Sequence, residues 1–199
     1  MVEFCLEPQA SSFYRVFVME LGISEIEKIL MKKEEQFDKV HVKTREIVRD
    51  CSNAIKSIHS KEIGAAKKYL ESAEKEINDI EKLAGEFPDQ LNHILQEYVE
   101  ARVVLSAVED GKIPSFKDLG VNEISYLNGL LDATGELKRE MYEALRHKDK
   151  KSAEKYFQMM EEIFSALLPL RFSNAVLPEF RRKQDVARIQ IEQARGELL

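Results

Sequence analysis

The spacing of apolar residues limits the fold of this chain more than any other feature. From about residue 24 onward, apolar side chains recur at every third or fourth position, which is the period of an amphipathic helix, and the alternation typical of strands is nearly absent. Only 8 glycines and 5 prolines occur among the 199 residues, so few positions interrupt a helix. The pattern predicts an all-α protein, with a single domain of about seven helices.

Turn residues divide this pattern into predicted helices. Gly85 and the stretches "FPDQ", "DGKIPSF" and "KDKK" mark the main breaks. The predicted ranges are 24–60 as one helix or two nearly continuous ones, 61–84, 87–110, 121–147, 152–166, a short piece between Pro169 and Pro178, and 180–199. Residues 1–23 do not share the pattern and form a separate N-terminal segment, for which a short helix, an edge strand and a tail all stay open. The helical domain then spans 24–199.

Composition narrows the class of protein. Hydrophobic residues make up 44% and charged residues 33% of the chain, which is typical of a globular domain, and no apolar run approaches the ~18 residues of a membrane span. The first residues lack a secretory signal pattern, and Cys5 and Cys51 have neither metal-site spacing nor the number needed for a disulfide framework. We therefore expect a cytoplasmic protein without a membrane partner. The net charge of −6 excludes a uniformly basic surface but leaves a local nucleic-acid patch open.

A first acidic pair lies beside the apolar face of the third long predicted helix. In "HILQEYVEARVVL" (93–105), Glu97 and Glu100 are three residues apart and therefore share one helix face. That face lies at the rim of the predicted core stripe, where a carboxylate needs a reason to point inward. His93 lies one turn earlier, and we do not count it among the candidate ligands.

A second acidic pair lies on the next long predicted helix, in "YLNGLLDATGELKRE" (126–140). Asp132 and Glu136 are four residues apart and also share one helix face. Gly129 and Gly135 lie inside this helix, although each glycine costs roughly 1 kcal/mol there relative to alanine. We expect Gly129, one turn before Asp132, to leave open space beside the carboxylates.

The two acidic pairs are candidates for a single metal site. The loop between their helices allows antiparallel packing, which would bring the four carboxylates together. Unpaired carboxylates at close range repel one another and partly protonate, and a divalent cation removes that conflict. A ligand set made only of oxygen suits Mg²⁺ or Mn²⁺, which can activate water and stabilise the leaving oxygen of a phosphodiester. Acidic pairs at this spacing are also common on solvated helix faces, so the spacing alone leaves both interpretations open.

The same segments resemble a known family. "LQEYVEA" (95–101) and "YLNGLLDATGELKR" (126–139) are similar to the two signature segments of the translin/TRAX family, and weaker similarity extends over about 26–195. The resemblance implies an all-α fold of seven helices that assembles into a hollow octamer, here a homo-octamer of a single-gene version of the family.

The resemblance also implies an activity. TRAX-type subunits are Mg²⁺-dependent endoribonucleases inside the shell, whereas translin-type subunits lack the acidic quartet and mainly bind nucleic acid. The TRAX quartet falls on Glu97, Glu100, Asp132 and Glu136, which are all acidic here. The resemblance therefore implies an endoribonuclease for single-stranded or small duplex RNA, in which these four residues are the metal ligands and the catalytic site. The implied cofactor is Mg²⁺, with Mn²⁺ as an alternative.

Basic residues indicate where RNA would bind. The candidate RNA-binding residues are Arg45, Arg49, Lys56 and Arg139. The first three belong, together with His59, to a basic stripe on the first predicted helix, and "FRRKQDVAR" (180–188) is a second basic cluster. Such side chains neutralise backbone phosphates, although they equally suit a solvated helix face.

Three other functions share parts of this pattern. An all-α nucleoside-triphosphate pyrophosphohydrolase also carries an E-x-x-E pair, but its second acidic pair differs in spacing and order from Asp132 and Glu136. A di-iron bundle needs a glutamate three residues before a histidine, and none of the 4 histidines has one. The third is a non-catalytic translin-type shell that binds RNA or DNA, which the complete acidic quartet disfavours.

Overall fold

Seven helices account for the regular structure of residues 21–198, the part of the chain that a computed structural model describes. The helices are α1 (Ile23–His59), α2 (Ile63–Ala84), α3 (Pro88–Glu109), α4 (Phe116–Leu119), α5 (Glu123–Arg146), α6 (Lys150–Leu167) and α7 (Phe180–Leu198). No strand occurs within residues 21–198, and the prediction of an all-α fold is confirmed. The segment predicted to stand apart, 1–23, lies almost entirely outside the described residues.

The short helix does not lie where the sequence predicted it. Residues 168–179 form turns rather than a helical piece, and α4 lies in the connection between α3 and α5. The Ser115 hydroxyl accepts a hydrogen bond from the Asp118 backbone N–H, and the Asp118 carboxylate accepts one from the Ser115 N–H. Gly120 ends this turn with a φ of 65°. Because α4 contains no buried residue, apolar periodicity cannot detect it.

Helices α3 and α5 lie at the centre of the packing. Helix α3 packs against α1, α2 and α5, and α5 packs against α3, α6 and α7. The apolar stripe of α1, which includes Ile47, Cys51 and Ile58, is fully buried against this centre. Within residues 21–198, no helix combines the length and apolar composition needed to cross a membrane.

Helices α3 and α5 run parallel, so the expected antiparallel packing is wrong. Near the start of both helices, the Asn122 side chain donates to Asn92 Oδ1 over 3.0 Å, and the Ser125 hydroxyl donates to the Asn92 backbone oxygen over 3.2 Å. Further along both helices, Gly129 lies against Val99. The contacts advance in the same direction on each helix, as they must in a parallel pair.

The connection between α3 and α5 makes the parallel arrangement possible. It comprises the thirteen residues 110–122 and includes α4, so it is long enough to return along α3. On the way, Val121 is buried in the core, and the Pro114 carbonyl accepts a hydrogen bond of 2.9 Å from the Tyr126 hydroxyl. The stretch "DGKIPSF" predicted only a short loop here, so the distance that the chain travels between the two helices was underestimated.

The two glycines of α5 mark close helix contacts, which overturns the expectation of open space beside the carboxylates. A Cβ atom at Gly129 would lie 2.7 Å from Val99 Cβ and 2.8 Å from the Gln96 backbone oxygen of α3. A Cβ atom at Gly135 would lie 3.0 Å from Gln190 Nε2 of α7. Gly129 therefore allows α3 and α5 to approach each other more closely than any residue with a side chain would permit.

Replacing Gly129 with alanine is expected to destabilise the protein. Alanine gains up to about 1 kcal/mol of helix propensity, but overpacking costs about 1–3 kcal/mol, and here part of the clash is with a backbone oxygen that cannot rotate away. Gly64→Ala is the matched control, because a Cβ atom there meets no atom within 4 Å, and it should leave stability unchanged or raise it. Urea unfolding monitored by circular dichroism measures both changes. Equal effects of the two substitutions would contradict the close approach of α3 and α5.

Candidate metal centre

The four acidic residues that the sequence singled out line one cavity of about 400 Å³. Helix α3 contributes Glu97 and Glu100, and helix α5 contributes Asp132 and Glu136. A third wall comes from α7, whose cavity-lining residues are Arg182, Lys183, Val186 and Gln190. The parallel packing of α3 and α5 thus places both acidic pairs on facing sides of one space.

Local helix geometry explains why these side chains reach the cavity. On α3, Tyr98, Val99 and Ala101 are buried in the core, so Glu97 and Glu100 fall on the flank of the buried face. Both side chains are half-buried there. The apolar part of each glutamate stem can pack against its neighbours while the carboxylate extends into the cavity.

The cavity is electrostatically unfavourable for its own carboxylates. Burial raises the pKa of Glu100 to about 8, and the negative charges of Asp132, Glu97 and Glu136 act in the same direction, opposed only in part by Lys183. Burial also raises the pKa of Glu97, with Asp132 adding to the rise and His93 and Lys183 opposing it. At neutral pH, this arrangement favours a protonated Glu100 or the binding of a cation.

Cationic side chains already bind two of the four carboxylates. The Lys183 ammonium donates to both oxygens of Asp132, over 2.6 Å to Oδ1, and only 12% of the Lys183 side chain is exposed. On the other side of the cavity, His59 Nε2 lies 2.6 Å from Glu136 Oε2. The Arg139 guanidinium is 58% exposed and lies 3.8 Å from Glu136.

The residues fit a hard divalent cation in charge and donor type. All four candidate ligands offer carboxylate oxygens, which Mg²⁺ and Mn²⁺ prefer, and burial together with the charges of the other three carboxylates raises the pKa of Glu100. In residues 21–198, no three acidic, histidine or cysteine side chains already converge on one point as ligands would. Binding would therefore require Asp132 to exchange the Lys183 ammonium for the ion.

The predicted RNA-binding residues lie outside this cavity. Arg45, Arg49 and Lys56 are exposed on the outward side of α1, and none of them lines the cavity. Arg45 Nη2 lies 3.0 Å from His41 Nε2. Of this predicted set, only Arg139 contacts an acidic residue of the cavity. Their role in RNA binding stays a prediction.

Three residues at the site were not among the predicted site residues. His59 was placed on the exposed basic stripe, which is wrong, because its side chain is only 7% exposed and bonds to Glu136 and Glu140. Glu140 continues the four-residue spacing of Asp132 and Glu136, so helical periodicity offered a signal that was not used. Lys183 lies in the basic cluster noted at 180–188, but its pairing with Asp132 spans 51 residues and leaves no local trace.

Glutamine at position 100 should change how the stability of the metal-free protein depends on pH. The carboxyl has a pKa near 4.5 in the unfolded chain and of about 8 in the folded protein, so the folded state holds the proton more tightly. The free energy of unfolding of the wild type should fall as pH rises from about 4.5 to 8 through this group. Glu100→Gln removes that loss, and its advantage in Tm over the wild type should grow between pH 5 and pH 9 in EDTA.

The control for this experiment is Glu154→Gln, which replaces an exposed glutamate of α6. Its Tm difference from the wild type should stay flat over the same pH range. A Glu100→Gln difference that is equally flat would show that the folded protein does not raise the pKa of Glu100.

Comparisons with known proteins show the family of the chain. The model that describes the translin family matches residues 23–194. An uncharacterized protein of Methanocaldococcus jannaschii is 36% identical over 160 residues, which cover 78% of this chain and 72% of that protein.

Solved structures of C3PO proteins have the same fold. AfC3PO in complex with duplex RNA superposes with a TM-score of 0.81 at 29% identity, covering 88% of this chain and 94% of that one. A crystal structure of AfC3PO gives a TM-score of 0.76 at 30% identity, covering 90% and 94% of the two chains. Apo-NeC3PO, at 24% identity and a TM-score of 0.79 over 88% and 95% of the chains, supports the fold alone. With the family match spanning nearly all of the described helices, the chain belongs to the translin family.

Proposed function

We propose that this protein is a metal-dependent endoribonuclease that cleaves RNA at the carboxylate-lined cavity. The observation that carries the proposal is the meeting of both acidic pairs in one cavity of about 400 Å³, on two helices whose spacing Gly129 fixes. A solvated acidic face would leave the two pairs apart, whereas ligands of one ion must share a space.

Each side of the cavity has a distinct role in this proposal. Glu97, Glu100, Asp132 and Glu136 hold Mg²⁺, with Mn²⁺ as a substitute. When bound, the ion supplies Lewis-acid activation of the phosphodiester and of water. Lys183, which lines the cavity and bonds to Asp132, supplies a positive charge that would orient a phosphate.

RNA is the substrate class that the relatives favour. One solved structure of AfC3PO is a complex with duplex RNA, and its fold covers 88% of this chain. In the present protein, Arg45, Arg49 and Lys56 offer exposed positive charges on α1, and Arg139 lies at the edge of the cavity. We propose that these residues hold the backbone of single-stranded or short duplex RNA.

Self-association completes the proposal. The resemblance to translin and TRAX favours a hollow homo-octamer that encloses the cavities of its subunits. Light scattering coupled to size-exclusion chromatography tests this directly: the expected mass is eight times the 23.0 kDa chain, and a stable monomer would refute the enclosed shell.

The test of activity is cleavage of a labelled single-stranded RNA in Mg²⁺ and in EDTA. The wild type should cleave only in Mg²⁺, and Glu97→Gln/Glu100→Gln should lose cleavage by a factor of at least ~10² while still assembling, because two of the four ligands are gone. Glu154→Gln, on the exposed side of α6, is the matched carboxylate control and should retain activity. Cleavage that persists in EDTA or in the double variant would reject this site.

Thermal unfolding gives a second measurement that does not depend on turnover. An ion that binds only the folded state raises Tm in proportion to the logarithm of its concentration. Mn²⁺ should therefore stabilise the wild type and the Glu154→Gln control but not Glu97→Gln/Glu100→Gln. Equal stabilisation of all three proteins would place the ion elsewhere.

A second candidate function is favoured by the ion pairs within the cavity. Because Asp132 and Glu136 already have cationic partners, the protein can be stable without metal, as a non-catalytic translin-type RNA-binding protein would be. Binding of RNA without cleavage in Mg²⁺ and Mn²⁺, by the wild type and the double variant alike, would favour this candidate over the nuclease.

The basic stripe of α1 predicts a salt-dependent contribution to RNA affinity. Arg45→Gln/Arg49→Gln should weaken binding and reduce the slope of log K against log salt by about 1–2, because each phosphate contact contributes ~0.7–0.9 to that slope. The control is Lys28→Gln/Lys32→Gln, which removes two exposed charges nearer the start of the same helix. Fluorescence anisotropy at several salt concentrations measures both slopes, and equal slopes for the two double variants would exclude a specific role for the stripe.

A further inference from the structure

A line of hydrogen-bonded charged side chains leads away from the cavity through the buried Glu140 to the exposed Lys61. His59 lies between two glutamates of α5, with Nε2 at 2.6 Å from Glu136 and Nδ1 at 2.5 Å from Glu140. Beyond Glu140, Lys61 Nζ donates to the other carboxylate oxygen over 2.8 Å. Only Glu136 of this group lines the cavity.

Glu140 is the most deeply placed member of this line. Its side chain is 0% exposed, and burial of an unpaired carboxylate is strongly unfavourable. Burial alone would raise its pKa, but the hydrogen bonds from His59 and Lys61 outweigh that effect and lower the pKa. Glu140 is therefore an ionised group fixed by two cationic donors, and it cannot reach the cavity itself.

His59 is fixed as firmly as Glu140. It is the last residue of α1, where the helix dipole favours a positive charge, and Lys61 follows it in a left-handed turn with a φ of 63°. Burial lowers the pKa of His59, but hydrogen bonds to Glu136 and Glu140 more than compensate, and the pKa is raised. Each ring nitrogen faces one carboxylate oxygen, Nε2 that of Glu136 and Nδ1 that of Glu140.

The contacts of His59 restrict the orientation of the Glu136 side chain. A partly exposed glutamate has three rotatable side-chain bonds and must lose that freedom to bind an ion. At Glu136, the hydrogen bond with His59 Nε2 has already selected one orientation, and the hydrogen bond between His59 Nδ1 and Glu140 prevents the imidazole from turning. Outer hydrogen bonds of this kind typically change metal affinity or activity by a factor of about 10–100.

We infer that His59 and Glu140 are positioning residues that hold the Glu136 carboxylate in the orientation needed to bind a divalent cation in the cavity. The inference rests on the proposed role of Glu136 as a metal ligand. His59 and Glu140 thus do more than connect the end of α1 to α5.

The experiment measures Mn²⁺ binding to the full-length protein by electron paramagnetic resonance, without RNA. His59→Gln and Glu140→Gln should each weaken Mn²⁺ binding by about tenfold or more. The double variant should bind no more weakly than His59→Gln, because Glu140 acts through His59. Glu143→Gln is the matched control. Glu143 is also on α5, but it accepts its hydrogen bond from Arg146, over 2.8 Å, and not from His59.

Stability is measured in parallel, because a purely structural role would lower Tm and leave Mn²⁺ affinity unchanged. Ile58→Val, which removes a methyl group from the fully buried neighbour of His59, should lower Tm without changing Mn²⁺ affinity. If a buried variant does not fold, Lys61→Gln tests the same line of contacts, because the Lys61 side chain is exposed. This substitution should weaken Mn²⁺ binding by a smaller factor than His59→Gln or Glu140→Gln.

The outcomes separate this inference from the proposed nuclease activity. Weaker Mn²⁺ binding in the His59 and Glu140 variants, in a protein that does not cleave RNA, would support the positioning role and reject the nuclease. Metal-dependent cleavage with unchanged Mn²⁺ affinity in the same variants would do the reverse. A wild type that binds no Mn²⁺ would overturn both.

Discussion

The close approach of α3 and α5 at Gly129 is the contact on which the rest of the site depends. Without a side chain at that position, the α5 backbone lies directly against Val99 and the backbone of Gln96. The same contact fixes the register of the two helices, so Glu97 and Glu100 face Asp132 and Glu136 across a narrow space. A wider spacing would let water separate the two pairs and would weaken their mutual repulsion.

Two neighbouring helices supply cationic side chains that offset this repulsion. Helix α1 contributes His59 and helix α7 contributes Lys183, each placed against one acidic residue of α5. The acidic cavity is therefore compensated by cations from elements far apart in the chain, which joins α1, α5 and α7 through polar contacts as well as through the core. These contacts compensate Asp132 and Glu136, while Glu97 and Glu100 remain without a strong cationic partner. Those two carboxylates are the ones whose pKa values burial raises.

Much of this arrangement could be predicted from local patterns. The helical period and the scarcity of glycine and proline predicted the long helices, and the spacing of the acidic pairs predicted that each pair shares a face. Long-range contacts could not be predicted in that way. The direction of α5 relative to α3 depends on how far residues 110–122 travel, and the burial of His59 depends on Glu136 and Glu140, 77 and 81 residues away. A glycine inside a helix is unusual, so the sequence drew attention to Gly129. That it allows a close helix contact became clear only from the positions of Val99 and Gln96.

The connection from the end of α3 back to the start of α5 must be long enough for the acidic pairs of the two helices to lie side by side. The return path along α3, from Glu109 back to the level of Asn92, is about 26 Å at ~1.5 Å per helical residue, and the thirteen residues 110–122, one turn of which is helical, span at most about 37 Å. Shortening this surface segment by a few residues would draw α5 along α3. A slip of one helical turn is ~5.4 Å, enough to move Asp132 and Glu136 out of line with Glu97 and Glu100. A sufficient length of this connection is thus a second condition, beside the close contact at Gly129, for the four carboxylates to meet.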